Sequence, residues 1–336
     1  MSTTTQNRQF RLAARPVGLV KSSDFRLTEE AVRPPAEGEV LVRTQYISLD
    51  PAMRGWMNDV KSYVPPVGLD EVMRAGTAGE VIESKHPNFK AGDAVSGAWG
   101  VQTFGTVGGP TLTKIDTSVA PLPVYLGTLG MPGMTAYFGL LDVGQPKPGE
   151  TVVVSGAAGA VGTVVGQIAK IKGCRVVGIA GGKRKCDYLV QELGFDAALD
   201  YKSGDLKSAL RQACPKGVNV YFDNVGGPIL DTLLTRLALK ARIVICGAIS
   251  QYNNEGGMEG PRNYMSLLVF RARMEGMVVF DYADQFPTAV RDMTGWMKEG
   301  KLKPREDVVT GFDRFPEALL MLFKGENLGK LVLKVD

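Results

Sequence analysis

"VVVSGAAGAVGTVVGQIAKIKGCRVVGIAGGKRK", Val152–Lys185, is the stretch on which the reading of this 336-residue chain turns. Its opening apolar run reads as a buried strand. "AVGTVVGQIAKIKG" then repeats its apolar residues at three and four, the helical period, and Gly173 suits the helix end. "CRVVGIAG" reads as a second strand. Between the first strand and the helix stand Gly156, Gly159 and Gly162, spaced three apart. The usual dinucleotide fingerprint is G-x-G-x-x-G, so the second glycine is displaced here. The setting still favours a dinucleotide turn, because it follows a strand and opens a helix. Small residues, including Ala157, Ala158 and Ala160, let the backbone approach a pyrophosphate, and the free N–H groups of a helix start attract its charge.

Downstream, strand and helix alternate. "KRKCDYLVQELG" reads as a helix closed by Gly194, "AALDY" as a short strand and "GDLKSALRQACPKG" as a helix. "VNVYFDNVG" is a strand, "PILDTLLTRLALKA" a helix and "RIVICGAIS" a strand. This alternation predicts an α/β fold, a Rossmann doubly wound parallel sheet with helices on both faces. Upstream, to about Gly127, the pattern is different. "GEVLVRTQYISLD" and "GDAVSGAWGVQTFGTV" are β-type runs punctuated by glycine, and they predict a compact β-rich domain. After about Lys303 the chain reads strand, helix, strand, which could extend either region. The polar start "MSTTTQNRQF" is expected to fray.

At the end of the second strand, "GIAGG", no carboxylate is present where an NAD site places one on the ribose hydroxyls. Lys183, Arg184 and Lys185 follow at once. An acid would repel a 2′-phosphate and a basic cluster would attract it, so NADP(H) is the expected cofactor. A bland alternative is a lysine-rich helix start on the surface. The rest of the chain limits the chemistry. Its charged fraction of 22% and formal charge of +4 are those of an ordinary globular protein, without the basic stripe of a nucleic-acid binder. No stretch is long and apolar enough to span a membrane. Cys174, Cys186, Cys214 and Cys246 form no C-x-x-C pair and read as reduced thiols of a cytoplasmic protein. The single histidine, His86, leaves no cluster for zinc, so no metal site is expected. The chemistry then falls to the cofactor, and hydride transfer to an activated double bond fits. It asks the protein for a positioned donor to the developing enolate. Tyr46, Tyr63, Tyr252 and Tyr264 are candidates, each equally readable as a packing residue. Tyr252 and Tyr264 stand out because they flank the loop after "CGAIS", where ligands of parallel sheets bind.

Together, "MPGMTAYFGLLDVGQPKPGETVVVSGAAGAVG", "YFDNVGG", "CGAISQYN", "RMEGMVV", "ENLGKLVL", "ISLDPAMRGWM" and "RAGTAGEV" resemble the zinc-independent branch of the medium-chain dehydrogenase/reductases. The likeness is to its group of prostaglandin, alkenal double-bond and bacterial curcumin reductases, and covers nearly the whole chain. It implies a GroES-like β-rich domain from residues 1–129 and 308–336, a Rossmann domain over 130–307, and a homodimer. The implied activity is NADPH-dependent reduction of the carbon–carbon double bond of a small apolar unsaturated ketone or aldehyde. Carried over by position, Gly159, Ala160, Val161 and Gly162 would meet the pyrophosphate, and Lys185 and Tyr201 the adenosine phosphate. Asn224 and the run Cys246, Gly247, Ala248, Ile249, Ser250, Gln251 and Tyr252 would line the cofactor. Thr135, Met277, Val278, Val279 and Asn327 would approach its nicotinamide end.

Two departures bear on the substrate. Ala52 replaces the tyrosine of the family's "DPYMR". Val269 stands where eukaryotic members carry a pocket tyrosine, with Tyr264 nearby. Tyr264, or else the cofactor ribose hydroxyl, is therefore the expected proton donor, and Tyr63, Tyr252 and Tyr264 are the expected substrate contacts. Two other functions fit the same motifs: a quinone reductase, and a protein that binds NADPH without turnover. The physiological substrate is not written in these residues.

Overall fold

The computed structural model describes residues 5–336. They divide into two units, one running up to Leu126 and including Glu306–Asp336, the other being Gly127–Arg305. The first unit opens with β1 (Gln6–Leu12) and β2 (Phe25–Ala31), followed by β3 (Glu39–Ser48), β4 (Thr77–Ser84), β5 (Ala94–Gly97), β6 (Phe104–Gly108) and β7 (Thr113–Lys114). The part of the polar start that lies within the described residues does not fray. From Gln6 onward it is strand, paired antiparallel with β2, because Phe10 and Leu12 alternate into the core.

The second unit contains β8 (Thr151–Ser155), β9 (Arg175–Ala180), β10 (Ala197–Asp200), β11 (Val218–Asp223), β12 (Leu237–Ile245) and β13 (Arg273–Gly276). They form one parallel sheet in the order β10-β9-β8-β11-β12-β13. Counted within the unit this is 3-2-1-4-5-6, the doubly wound order, and the connection reverses between β8 and β11. Continuous apolar runs such as Val152–Val154 are fully buried, as a sheet covered on both faces requires.

Local chemistry explains most helix limits. Asp205 caps the Leu206–Ala213 helix by accepting from the Lys207 amide. The helix expected over "PILDTLLTRLALKA" is shorter than its pattern. It stops at Leu234, and "LALKA" belongs to β12. Leu237 and Ala241 are buried in the sheet, Lys240 takes a left-handed conformation (φ 59°), and the β11–β12 register shifts beside it. "KRKCDYLVQELG" is one α-turn, Lys183–Asp187, continued by a wider π-type turn, Tyr188–Glu192. A helix absent from the sequence reading, Phe286–Lys298, has Pro287 in its first turn and buries Ala289 and Met293.

The tail returns to the first unit. β14 (Glu306–Thr310) and β15 (Lys330–Lys334) complete its sheet in the order β14-β15-β3-β4-β5-β7, with β6 also on β3. β15 pairs with the end of β3 at Tyr46–Ser48. Phe315, on the helix before β15, packs on Phe10 and Phe25 at ring-centroid distances of 5.2 and 5.0 Å. Lys330 is 2% exposed, and its ammonium donates to Leu49 O at 2.8 Å and Asp50 Oδ1 at 2.6 Å. Burial pulls its pKa down, and the Asp50 carboxylate opposes that pull.

At the end of the second unit's sheet opposite the glycine turn, Arg242 of β12 grips Glu150 with Nη1 at 3.0 Å and Nη2 at 2.5 Å, and donates to Gly144 O and Gln145 O. Burial pushes the Glu150 carboxyl up, but donors from Arg242 and the Lys147 amide outweigh it and leave its pKa lowered. A carboxyl lowered in the fold stabilises above its unfolded pKa, near 4.3, and loses that contribution as pH falls through the folded value. Arg242→Met is expected to cost about 1–3 kcal/mol at pH 7. In urea titrations the gap between variant and parent should narrow below about pH 4.

Candidate functional site

The site is built at the reversal of the sheet. β8 ends at Ser155, the turn runs through Gly156 to Gly159, and the Ala160–Ile171 helix begins. Gly156 has φ 57°, which favours glycine. The Ala157 amide donates to Ile179 O, tying the turn to β9. A Cβ at Gly162 would lie 2.4 Å from the Gly156 carbonyl oxygen, so only glycine lets the helix press onto the turn. A Cβ at Gly159 would meet only that same oxygen, at 3.2 Å, and beyond it the turn is open. Gly159 is the N-cap and offers no side chain to the first amides. The N–H groups of Ala160, Val161 and Gly162 therefore present a positive helix end to an anion.

Across the reversal, β11 ends in Asp223, a buried carboxylate. Its Oδ1 accepts from Ser155 Oγ at 3.0 Å, Tyr221 Oη at 2.7 Å, Val225 N at 3.0 Å and Gly226 N at 2.9 Å. Its backbone oxygen accepts from the Cys246 and Gly247 amides. Its Oδ2 is buried with no partner among the described residues. Asn224 then donates from Nδ2 to Ser155 O at 2.7 Å and from its amide to Ser155 Oγ at 3.0 Å. That bond fixes the side-chain amide and leaves Oδ1 as the acceptor face. The run after β12 folds onto the same turn. Ser250 donates from both N and Oγ to Val225 O, and the Ala248 amide donates to Tyr252 Oη at 3.1 Å. Burial pushes the Cys246 thiol up to about 12, with the Asp223 charge adding to it.

The expected residues of the second unit thus gather at the C-terminal strand ends. Gly159–Gly162, Asn224 and Cys246–Tyr252 surround the reversal, and Met277–Val279 follow β13 directly. Thr135 lies on the Met131–Phe138 helix, where its hydroxyl donates to Met131 O. The Phe138 ring on that helix stacks on Tyr282 at 4.6 Å, so the turn after Val279 lies alongside. Tyr252 is half-buried and pinned back over Gly247, whereas Tyr264 is 58% exposed. Asn327 and Tyr63 belong to the first unit. Asn327 is buried and donates to Gly329 O, and Tyr63 is 57% exposed.

The missing acid has a counterpart. Asp200, at the end of β10, accepts at Oδ1 from the Gly182 amide at 2.8 Å and the Lys202 amide at 2.9 Å. These two donors hold its carboxyl below the usual range. So a carboxylate does stand beside the β9 tip, supplied by the neighbouring strand and committed to backbone donors. The Tyr201 ring lies over Gly181, where a Cβ would sit 2.9 Å from Tyr201 Oη. Ser155, Tyr221 and Asp223 were missed from the sequence. The available signal was a lone carboxylate ending an apolar strand in "YFDNVGG". His86 Nδ1 accepts from the Asn88 amide and its ring packs on Phe89. Among the described residues no group of three or more His, Cys, Asp or Glu could hold a metal.

Two family models match the chain, described as "N-terminal domain of oxidoreductase" over residues 8–115 and "Zinc-binding dehydrogenase" over residues 160–295. The NADPH-dependent curcumin reductase of Escherichia coli is 45% identical, over 98% of this chain and 97% of its own. The NADP(+)-dependent 2-alkenal reductase of Nicotiana tabacum is 42% identical, over 100% and 99%. The crystal structure of CurA from Vibrio vulnificus in complex with NADPH superposes with a TM-score of 0.93 at 44% identity, covering 98% of this chain and 99% of that one.

Asp223→Ala should leave the Ser155 and Tyr221 hydroxyls and two amides without their acceptor. A loss of about 3 kcal/mol or more is expected in urea unfolding, with Ser155→Ala costing about 1 kcal/mol. Equal losses for the two variants would remove Asp223 as the organiser of the reversal.

Proposed function

The chain belongs to the medium-chain dehydrogenase/reductase family, in its prostaglandin, alkenal and curcumin reductase group, and from that membership we propose that it reduces the carbon–carbon double bond of α,β-unsaturated ketones and aldehydes with NADPH. The observation that carries this reading is the glycine turn at the reversal of the sheet, joined to full-length likeness to enzymes named for that activity. The residues fit the cofactor. Gly159 leaves the backbone open above the turn, and the amides of Ala160–Gly162 face that opening. NADPH, when bound, supplies the hydride for the carbon β to the carbonyl.

The chain's part is to bind, orient and deliver a proton. Gly159–Gly162 hold the pyrophosphate by amide hydrogen bonds and helix charge. Lys185 and Tyr201 hold the 2′-phosphate side. Asn224 offers its free Oδ1 to a ribose hydroxyl, because its Nδ2 is spent on Ser155. Thr135 and Met277–Val279 line the nicotinamide end. Tyr264, whose phenol is exposed, protonates the carbon α to the carbonyl. Residues 1–129 and 308–336 form the GroES-like substrate domain in the same proposal.

A homodimer completes it. β13 is an edge strand, and beside it Leu268 and Val269 are 71% and 64% exposed. An open edge flanked by exposed apolar residues invites a second copy. Among the described residues no helix is long and apolar enough to cross a membrane, and the proposed place of work is the cytoplasm.

NADPH consumption measured with an alkenal, an aryl enone, a prostanoid enone and a quinone tests the activity. The enones and alkenal should turn over, with kcat/KM for NADPH at least tenfold above that for NADH. Turnover of the quinone alone, or of none, would overturn the reading. Tyr264→Phe should lower kcat on an enone by about 10²-fold with little change in the KM for NADPH, and an unchanged kcat removes the tyrosine as donor. Light scattering should give twice the 36.1 kDa chain mass, and a monomer at micromolar concentration contradicts the dimer.

A further inference from the structure

The basic cluster at the β9 tip is not wholly available to a ligand. Lys183 Nζ is held 2.6 Å from Asp187 Oδ2, one helical turn on. A lysine from the next strand reaches the same tip. Lys202 follows Tyr201 after β10, and its side chain crosses Gly181: a Cβ there would lie 2.9 Å from Lys202 Cε and 2.9 Å from Tyr201 Oη. Its ammonium lies 6.0 Å from the Tyr201 ring centroid and is in no ion pair among the described residues. Asp200 fixes both sides of this corner, since its Oδ1 accepts from the amides of Gly182 and Lys202 together. One carboxylate thereby sets the glycine turn and the root of the lysine in fixed relation.

We infer that Lys202 is a ligand of the cofactor's 2′-phosphate and a determinant of the choice of NADPH over NADH, acting with Lys185 and Tyr201. The inference rests on the NADPH reading above. An ammonium that is held in no salt bridge among the described residues, near the Asp200 charge and beside a phenol and a glycine turn, suits a phosphate dianion, which offers three acceptor oxygens. The Asp200 carboxylate, engaged by two backbone donors, keeps the turn in place while the lysine supplies the opposite charge.

Calorimetry with 2′,5′-ADP and with 5′-ADP tests it without turnover. The parent should bind 2′,5′-ADP at least tenfold more tightly than 5′-ADP. Lys202→Met, which keeps most of the stem, should weaken 2′,5′-ADP about tenfold and shift 5′-ADP less than twofold. Lys202→Arg should restore most of the affinity, and the charge-matched Lys207→Met on the following helix should change neither ligand more than twofold. Unchanged 2′,5′-ADP binding in Lys202→Met overturns the role of Lys202 while leaving the NADPH reading standing. Equal loss of both ligands assigns Lys202 to the fold and also overturns the role. A parent that binds both ligands equally overturns the NADPH reading and this inference with it.

Discussion

The second unit is organised around one carboxylate oxygen. Asp223 Oδ1 gathers four donors from three places: the last residue of β8, the tyrosine two residues earlier on β11, and the two amides that begin the next turn. Each is a modest interaction alone, but they share a buried acceptor, so losing one reshapes the others. The glycine turn, the Asn224 turn and the loop after β12 come from strands far apart in sequence. They take fixed positions because each is bonded to Asp223 or to a neighbour it fixes. Ser155 carries this furthest, its hydroxyl donating to Asp223 while accepting from the Asn224 amide.

Electrostatics at this end of the sheet are graded. A helix start without a side-chain cap leaves three amides positive at the glycine turn. At the β9 tip, lysines supply charge, and of the carboxylates there Asp187 is paired with Lys183 while Asp200 is bound by backbone donors. At the opposite end of the strands, the Arg242–Glu150 pair closes the sheet. The carboxylates that stand at the cofactor end of the strands, Asp200 and Asp223, are thus each engaged by donors from the protein itself.

What could be read in advance follows from how local each cause is. The glycine turn was legible because Gly156 and Gly162 answer to conditions set within seven residues, a positive φ and the pressure of a helix on its own turn. Strand and helix alternation was legible because buried runs such as Val152–Val154 have no other home. The Asp223 cluster was not, since its partners converge only when β8 and β11 lie side by side. Asp200 escaped for the same reason: the acid was sought on β9 and arrived from β10. "LALKA" fits helical and strand patterns equally, and the sheet decides between them by burying Leu237 and Ala241. The return of the tail followed from family likeness. Its physical cause, Phe315 packing on Phe10 and Phe25, joins residues about 300 positions apart.

That return sets an order on biosynthesis. β15 lies inside the first unit's sheet, between β14 and β3, yet follows the whole of the second unit in the chain. While the chain is still on the ribosome, the Tyr46–Ser48 edge of β3 has no partner and Phe10 and Phe25 lack the ring of Phe315. Gly127–Arg305, by contrast, is uninterrupted and carries its own core, so it can close as soon as it emerges. The first unit, begun first, is finished last. The Tyr46–Ser48 edge stays open until residues 330–334, beyond the whole of the second unit, have been made.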